Sequence, residues 1–510
     1  MKKSIYEIIL ENIQEDGKLP ENFSLPKENK DKTELNFAPG ALDGIHIYHF
    51  GIPDEEIEKA KVGIKKAIDF VSQEEIKKAN KEFEKIFKKD IRAIDIIDEI
   101  CSCIQDNSEN LDPQKIFAYG YYLILDSKNV ELVKVGLILM ELLEPHLPEE
   151  VNETIKIFGL YDEFTIFSIF NLRHLPNGND FIFEYAQKLN SWGKVHAVER
   201  LQPKTKKIKD WILHNGMSNC VLNEYLALTC YQKAEVEKRL KTKITKKEFD
   251  SIGKIIANLF PEGPVAGISA IENDEEILTI FVEHAQKQNN LTVGNLNVIY
   301  DIKDYAEENE YKKIKELCDV ILDNSKTKET IKKAVKKGEG IYLAKKLNIP
   351  FEEDLIKIID NDFENNHGRI GLLIENPKYI DRLVEIFKKH IDLKQIEQSP
   401  SDEIGLPKNN IYLKLALFLQ YFKDFISEKY PKEIEDILLK TVASKSKNNR
   451  FQTMYILKNW VKREGKSIEE LSPELFKKLK SAVLTEPNAE LKTELQNLID
   501  NKISFEEEEE

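Results

Sequence analysis

Cysteine is scarce and unpatterned in this chain. Its five residues, Cys101, Cys103, Cys220, Cys230 and Cys318, are an odd count in 510 and form no C-x-x-C pair, which leaves neither a disulfide framework nor a zinc-ligand spacing. No apolar run approaches the ~20 residues that a membrane span needs. The opening "MKKSIYEIILENIQEDG" is basic at its start, but Glu7 and Glu11 interrupt the apolar stretch that a signal peptide requires. A Gly-rich dinucleotide turn after a strand is absent as well; "KKGEGIYLAKK" has two glycines but reads as a turn between helices. Basic residues are outnumbered, 75 against 90 acidic, for a formal net charge of -15. That balance argues against nonspecific adhesion to phosphate backbones or anionic lipid, and it favours a basic partner. Together these absences give the expectation of a soluble, cytoplasmic chain with reduced thiols and no membrane attachment.

What the sequence does contain is helical periodicity. With 41% hydrophobic and 32% charged residues, the composition supports a folded core under a charged surface. In "SKNVELVKVGLILMELL" the residues Val130, Val133, Leu137 and Met140 recur at spacings of three and four, one apolar stripe that another helix must cover. Ser72 with Glu75 has the spacing of a capping box, and Ser127, Asn179 and Thr205 suit helix starts. The one β-rich piece, "IHIYHF" at 45–50, has no partner strand. The chain is therefore expected to be all-α.

The helices are short, and turns of Gly, Asn, Pro or Asp separate them. "DFIFEYAQKLNSWGKVHAVERLQP" and "TKKIKDWILHNGMSNCVLNEYLAL" each read as helix, turn, helix, and similar pairs recur downstream. A pair unable to bury its own stripe must stack on its neighbours, so the pattern predicts an α-solenoid of degenerate HEAT/armadillo-like helical repeats. The expected division is an N-terminal helix and loop (1–44), a main repeat array (45–395), a linker (396–410), C-terminal repeats (411–503) and an acidic tail (504–510).

Four segments, "LNFAPGALDGIHIYHFG", "YDEFTIFSIFNL", "NGNDFIFEYAQKLNSWGKVHAVERLQP" and "NCVLNEYLALTC", resemble a family of bacterial HEAT-like repeat proteins. Some of its members carry the inherited label limonene hydroxylase. The resemblance covers about half of the chain, is most specific around 192–201, and implies a helical-repeat fold without bringing catalytic residues to carry over. A hydroxylase of that kind would need haem, flavin or a non-haem iron held by two histidines and a carboxylate. No haem-ligand motif centred on cysteine is present, and no cofactor is expected.

Three constellations bear on function. Asp43, His46 and His49 in "ALDGIHIYHFG" suggest metal ligation, but Gly44 and the alternation of Ile45, Ile47 and Phe50 read as an extended or loop segment, where residues three apart diverge. No metal site is expected there. In "GKVHAVERL" a helical wheel gathers Val195, Val198 and Leu201 on one side and His196, Glu199 and Arg200 on the other, so the second face is expected to point outward, as a structural polar ladder between repeats, a partner-binding surface or a general acid-base group with Glu199 orienting His196. Trp192 in the preceding turn reads as a repeat cap or a binding anchor, and Trp211 reads as core. Asn219, Asn223 and Glu224 in the following pair extend the polar side.

"FGLYDEFTIFSIFNLRHLP" reads as a central buried helix with Asp162 and Glu163 placed for its N-terminus. Lys445, Lys447 and Arg450 read as a solvated basic cluster. The favoured function is a non-enzymatic scaffold that binds a protein partner, basic by charge, through Trp192, His196, Glu199, Arg200, Asn219, Asn223 and Glu224. Two other readings stay open, an oxygenase-type enzyme matching the inherited label and a HEAT-like nucleic-acid-binding or DNA-glycosylase-like protein. The whole-chain charge opposes a nucleic-acid partner.

Overall fold

The computed structural model describes residues 3–26, 37–88, 90–144, 146–374, 376–396, 399–402, 410–429 and 434–502. Among them the chain is all-α, 70% helix with no strand, and no helix is long and apolar enough to cross a membrane. It divides into two compact units, residues 1–327 and 328–510. Of the expected 396–410 linker, residues 397–398 and 403–409 lie outside the described residues, as does the 504–510 tail.

The first unit opens with α1 (Ile5–Glu11), whose Ser4 and Glu7 form a reciprocal capping box, and α2 (Ala41–Tyr48). A hairpin of α3 (Asp54–Ser72) and α4 (Ile76–Phe87) follows, then α5 (Ile97–Asp106). Next come α6 (Pro113–Asp126), α7 (Val130–Glu141), α8 (Glu149–Phe158) and α9 (Thr165–Leu172). The central region holds α10 (Gly178–Lys188), α11 (Trp192–Arg200), α12 (Lys206–Trp211) and α13 (Glu224–Lys233). A single π-helical turn, Ile212–Gly216, extends α12. The unit continues through α14 (Val236–Leu240), α15 (Lys246–Ala257), α16 (Asp274–Gln286), α17 (Val293–Glu308) and α18 (Lys312–Leu322).

Sequential neighbours pack as pairs at α3/α4, α6/α7, α10/α11 and α17/α18. Across the pairs, α7, α9, α11, α13, α15 and α17 each pack on the next. Core residues run along that second series: Val133 and Leu137 on α7, Ile166 and Ile169 on α9, Val195 and Val198 on α11 and Leu226 on α13 are all buried. Val195, Val198 and Leu201 form the packed side of α11 as the wheel predicts.

Several local expectations are corrected. The 45–50 piece is helical through Tyr48: Asp43 lies in the first turn of α2 and His46 in the last. The helix runs across the expected 44/45 boundary. Glu75, not Ser72, is the N-cap of α4, and Ser72 ends α3 with its hydroxyl donating to the Ile68 carbonyl. Asn129 caps α7 in place of Ser127, and Asn177 rather than Asn179 precedes α10. Thr205 does cap α12, accepting from the Ile208 N–H at 3.2 Å. Trp211 is half-buried rather than core and meets Phe183 edge to face at 5.3 Å.

In the second unit the helix Asn410–Lys429 packs on Lys447–Glu464. Arg450 there is buried, not solvated. Its guanidinium forms a two-pronged pair with Glu486 at 2.7 and 2.9 Å and donates to the carbonyls of Ser444, Lys445 and Ser401. A buried arginine keeps its charge only with such a full set of acceptors.

Candidate functional site

Helix α2 docks where α7, α9, α11 and α13 meet, and two sequence motifs converge there. Gly44 lies under the Trp192 ring so closely that a Cβ would come within 2.3 Å of its Cζ3. Gly40, at φ 75°, occupies the left-handed region ahead of α2 and donates its N–H to Glu163 Oε2 at 2.7 Å. Without side chains at these two positions the helix reaches the indole.

The carboxylate of Asp43 on α2 enters a buried charge network. Lys134 of α7, fully buried, places its Nζ 2.7 Å from Asp43 Oδ2, 3.0 Å from Glu131 Oε1 and 2.6 Å from Glu163 Oε1. Arg92 donates Nε to Asp43 and Nη2 to Glu131 at 2.8 Å and Glu163 at 3.0 Å. The remaining oxygens find backbone donors, Glu131 Oε2 accepting from the Ala93 N–H at 2.7 Å. Burial opposes the charge on Asp43, but Lys134 and Arg92 outweigh it and lower its pKa. Burial opposes the Lys134 charge too, and Asp43, Glu131 and Glu163 more than compensate, raising its pKa. Asp43, Glu131 and Glu163 have the mutual spacing of a metal-binding set. The ammonium of Lys134 takes the central position that a metal ion would need, so the cluster reads as an internal ion network.

Around it, the two histidines of α2 part company. His46 Nδ1 lies 2.9 Å from both oxygens of Asp95, which also accepts from the Arg92 N–H at 2.8 Å. His49 Nε2 lies 2.6 Å from the Tyr225 hydroxyl on α13. The two histidines thus have separate partners, Asp95 and Tyr225, and the backbone between them is helical rather than extended.

Tyr48 stacks on Trp192 at 5.9 Å and on His196 at 6.4 Å with rings 7° apart, and meets Tyr225 at 4.9 Å. The outward reading of His196 is corrected here: it is 1% exposed, and Trp192 is buried as well. Burial, then the nearby Arg200 guanidinium, push the His196 pKa down to about 3, and its Nδ1 has no hydrogen-bond partner. The ring is a neutral member of an aromatic core.

The rest of the polar strip is largely engaged in holding the chain together. Glu199 and Arg200, both half-buried, pair at 3.0 Å, and Arg200 lies over the Phe170 ring. Lys233 donates to the carbonyls of Val198, Glu199 and Leu201, closing the C-terminal end of α11. Asn219 folds its own loop, its amide donating to the Met217 and Leu222 carbonyls and its Oδ1 accepting from the Val221 N–H. Asn223 Oδ1 accepts from the Asn219 N–H at 3.3 Å. Glu224, half-buried, begins α13.

Asp162 and Glu163 do more than favour one helix terminus. Glu163 belongs to the charge network, and Asp162 Oδ1 accepts from the Gly193 N–H of α11 at 2.7 Å. Burial raises the Asp162 pKa to about 6 in spite of that bond. Sequence reasoning missed Arg92, Glu131 and Lys134. Lys134 carried a readable signal, a lone cation in the apolar run "VELVKVGLILME", since such a position is occupied by lysine only when acids meet it.

Apolar groups remain exposed beside these satisfied ones. Phe50 is 67% exposed, Leu222 55% and Ile47 38%. Phe50 and Ile47 adjoin His49, and Leu222 lies one helical turn before Tyr225, the residue His49 bonds. Asp54 and Glu55, exposed at the start of α3, follow directly. Comparison with protein-family models, with curated proteins and with solved structures gave no match.

Proposed function

We propose that this protein is a non-enzymatic α-solenoid scaffold of HEAT-like repeats that binds a protein partner. The observation that carries this reading is that the two segments joined by the His49–Tyr225 hydrogen bond each leave apolar side chains exposed, Ile47 and Phe50 on one and Leu222 on the other. An apolar group rimmed by polar residues is the usual signature of a docking surface. The stacked order of α7, α9, α11, α13, α15 and α17 supports the repeat architecture, because each helix covers its stripe only with the next.

The contact surface moves relative to the one expected from sequence. Trp192 and His196 act from beneath by fixing α2 and α13, while Glu199, Arg200, Asn223 and Glu224 form the half-buried rim. The net charge of -15 and the acids Asp54, Glu55 and Glu224 favour a basic partner, steered by charge and held by apolar contact. The test is capture of partners from cells by the tagged full-length chain at rising ionic strength. A recovered basic protein whose association rate falls steeply with salt supports the reading; recovery only of acidic partners or of nucleic acid overturns it.

A further inference from the structure

Away from Trp192, α16, α17, α18 and the segment after α15 bring two tyrosines to one carboxylate and a phenylalanine against the first of them. Tyr305 on α17 donates its hydroxyl to Asp274 Oδ2 at 2.7 Å, and Tyr311, just ahead of α18, donates to both Asp274 oxygens at 3.3 Å. The Tyr305 and Tyr311 rings stand edge to face, 6.2 Å apart at 65°, and Phe260 tilts against Tyr305 at 5.2 Å. All four residues are half-buried and open to solvent.

The donors that Asp274 receives are neutral: two phenols and the Glu275 N–H at 2.8 Å. No lysine, arginine or histidine pairs with it among the described residues. Burial and the Asp274 charge raise the pKa of Tyr305, with Glu262 adding negative potential; Tyr311 is raised by burial and Asp274, with Glu275 adding to it. Both phenols therefore stay protonated and hold the carboxylate at their hydroxyl ends.

The other two clusters of the unit lack this openness. The three carboxylates around Lys134 already hold their cation, and the Trp192 rings are packed into the core. At Asp274 a carboxylate without a cationic partner and aromatic rings are both partly exposed, which is the combination that attracts an organic cation.

We propose that Asp274, Tyr305, Tyr311 and Phe260 form a binding site for an alkylammonium group, the end of a lysine side chain or a quaternary amine. This deepens the reading of a basic partner, and small probes test it separately, so that its failure leaves partner capture untouched.

The experiment titrates the full chain by calorimetry with N-acetyl-lysine amide, its trimethylated form, choline, and the uncharged tert-butyl analogue of the trimethylated probe. At least one of the three cations is expected to saturate a single site and bind at least tenfold tighter than the uncharged analogue. Tightest binding by either lysine probe assigns the site to a side chain, and by choline to a free amine. Asp274→Asn retains an acceptor for the phenols but not the charge, and Tyr311→Leu removes a ring; each is expected to weaken binding about tenfold or more with the melting temperature nearly unchanged. Absence of saturation by all three cations, equal binding of the uncharged analogue, or wild-type affinity in the Asp274→Asn variant overturns the proposal. If one variant unfolds, the comparison of charged and uncharged probes on the wild type decides alone.

Discussion

Burial shifts His196 and Asp162 each toward its neutral form, the one downward and the other upward in pKa. The His196 pKa is depressed to about 3 from an unfolded value of about 6.5. The folded chain therefore binds fewer protons than the unfolded one between those values, and stability is lost as pH falls through that window. The loss is about 2 kcal/mol between pH 7 and pH 5. Asp162 works in the opposite sense. Its pKa is raised to about 6 from 3.8, so its contribution is complete below about pH 4 and gone once pH has risen past 6. Denaturant titrations across pH 4–7 check both: His196→Phe should lose stability on acidification less than wild type does. Asp162→Asn should gain on wild type by up to about 3 kcal/mol as pH rises across the window. A difference independent of pH in either variant would contradict the assignment. Neither shift was legible in the sequence, since a helical wheel sorts residues by face but is silent on what covers the polar face. The segment that buries His196 lies about 150 residues earlier in the chain.

At the scale of the element, α2 is the piece that the sequence misread and the structure explains. Alternating apolar residues suggested an extended strip, yet the segment forms a helix because Gly40 and Gly44 let it approach Trp192 and because Asp43 meets Lys134 and Arg92. Tertiary partners outweigh local pattern over so short a stretch. Gly44→Ala should displace the helix, costing about 1–3 kcal/mol, with a change in tryptophan fluorescence from the altered Tyr48–Trp192 stack. An unchanged melt and spectrum would contradict the packing described. Lys134→Met should be more severe, about 3–5 kcal/mol, because three carboxylates would be left with Arg92 alone. Adding Glu163→Gln should recover part of that loss, and chemical denaturation of both variants checks it. Other elements were legible: the stripes of α7 and α11 need only periodicity, and α9 is apolar along nearly its whole length.

At the scale of the whole molecule, composition and periodicity sufficed for an all-helical chain with neighbouring helices paired. The division into two compact units at 327/328 was not legible, because it falls within the helix Ser325–Val335, where no composition shift or proline-rich linker marks it. Of the surface expected from sequence, Trp192 and His196 lie against each other and Glu199 pairs with Arg200, but the sequence could not show that Tyr48 of α2 packs on Trp192 and His196. Under the proposed function, Ile47, Phe50 and Leu222 make the recognition contacts and the buried residues nearby support them. The most direct measurement is the affinity of the captured partner for wild type and for the Phe50→Ser/Leu222→Ser double variant, with melting temperatures taken alongside. The account predicts a loss of affinity of about a hundredfold, as expected when apolar anchors are removed from an interface centre, with a melting temperature within a few degrees of wild type. Undiminished affinity in a variant that melts like wild type would contradict it.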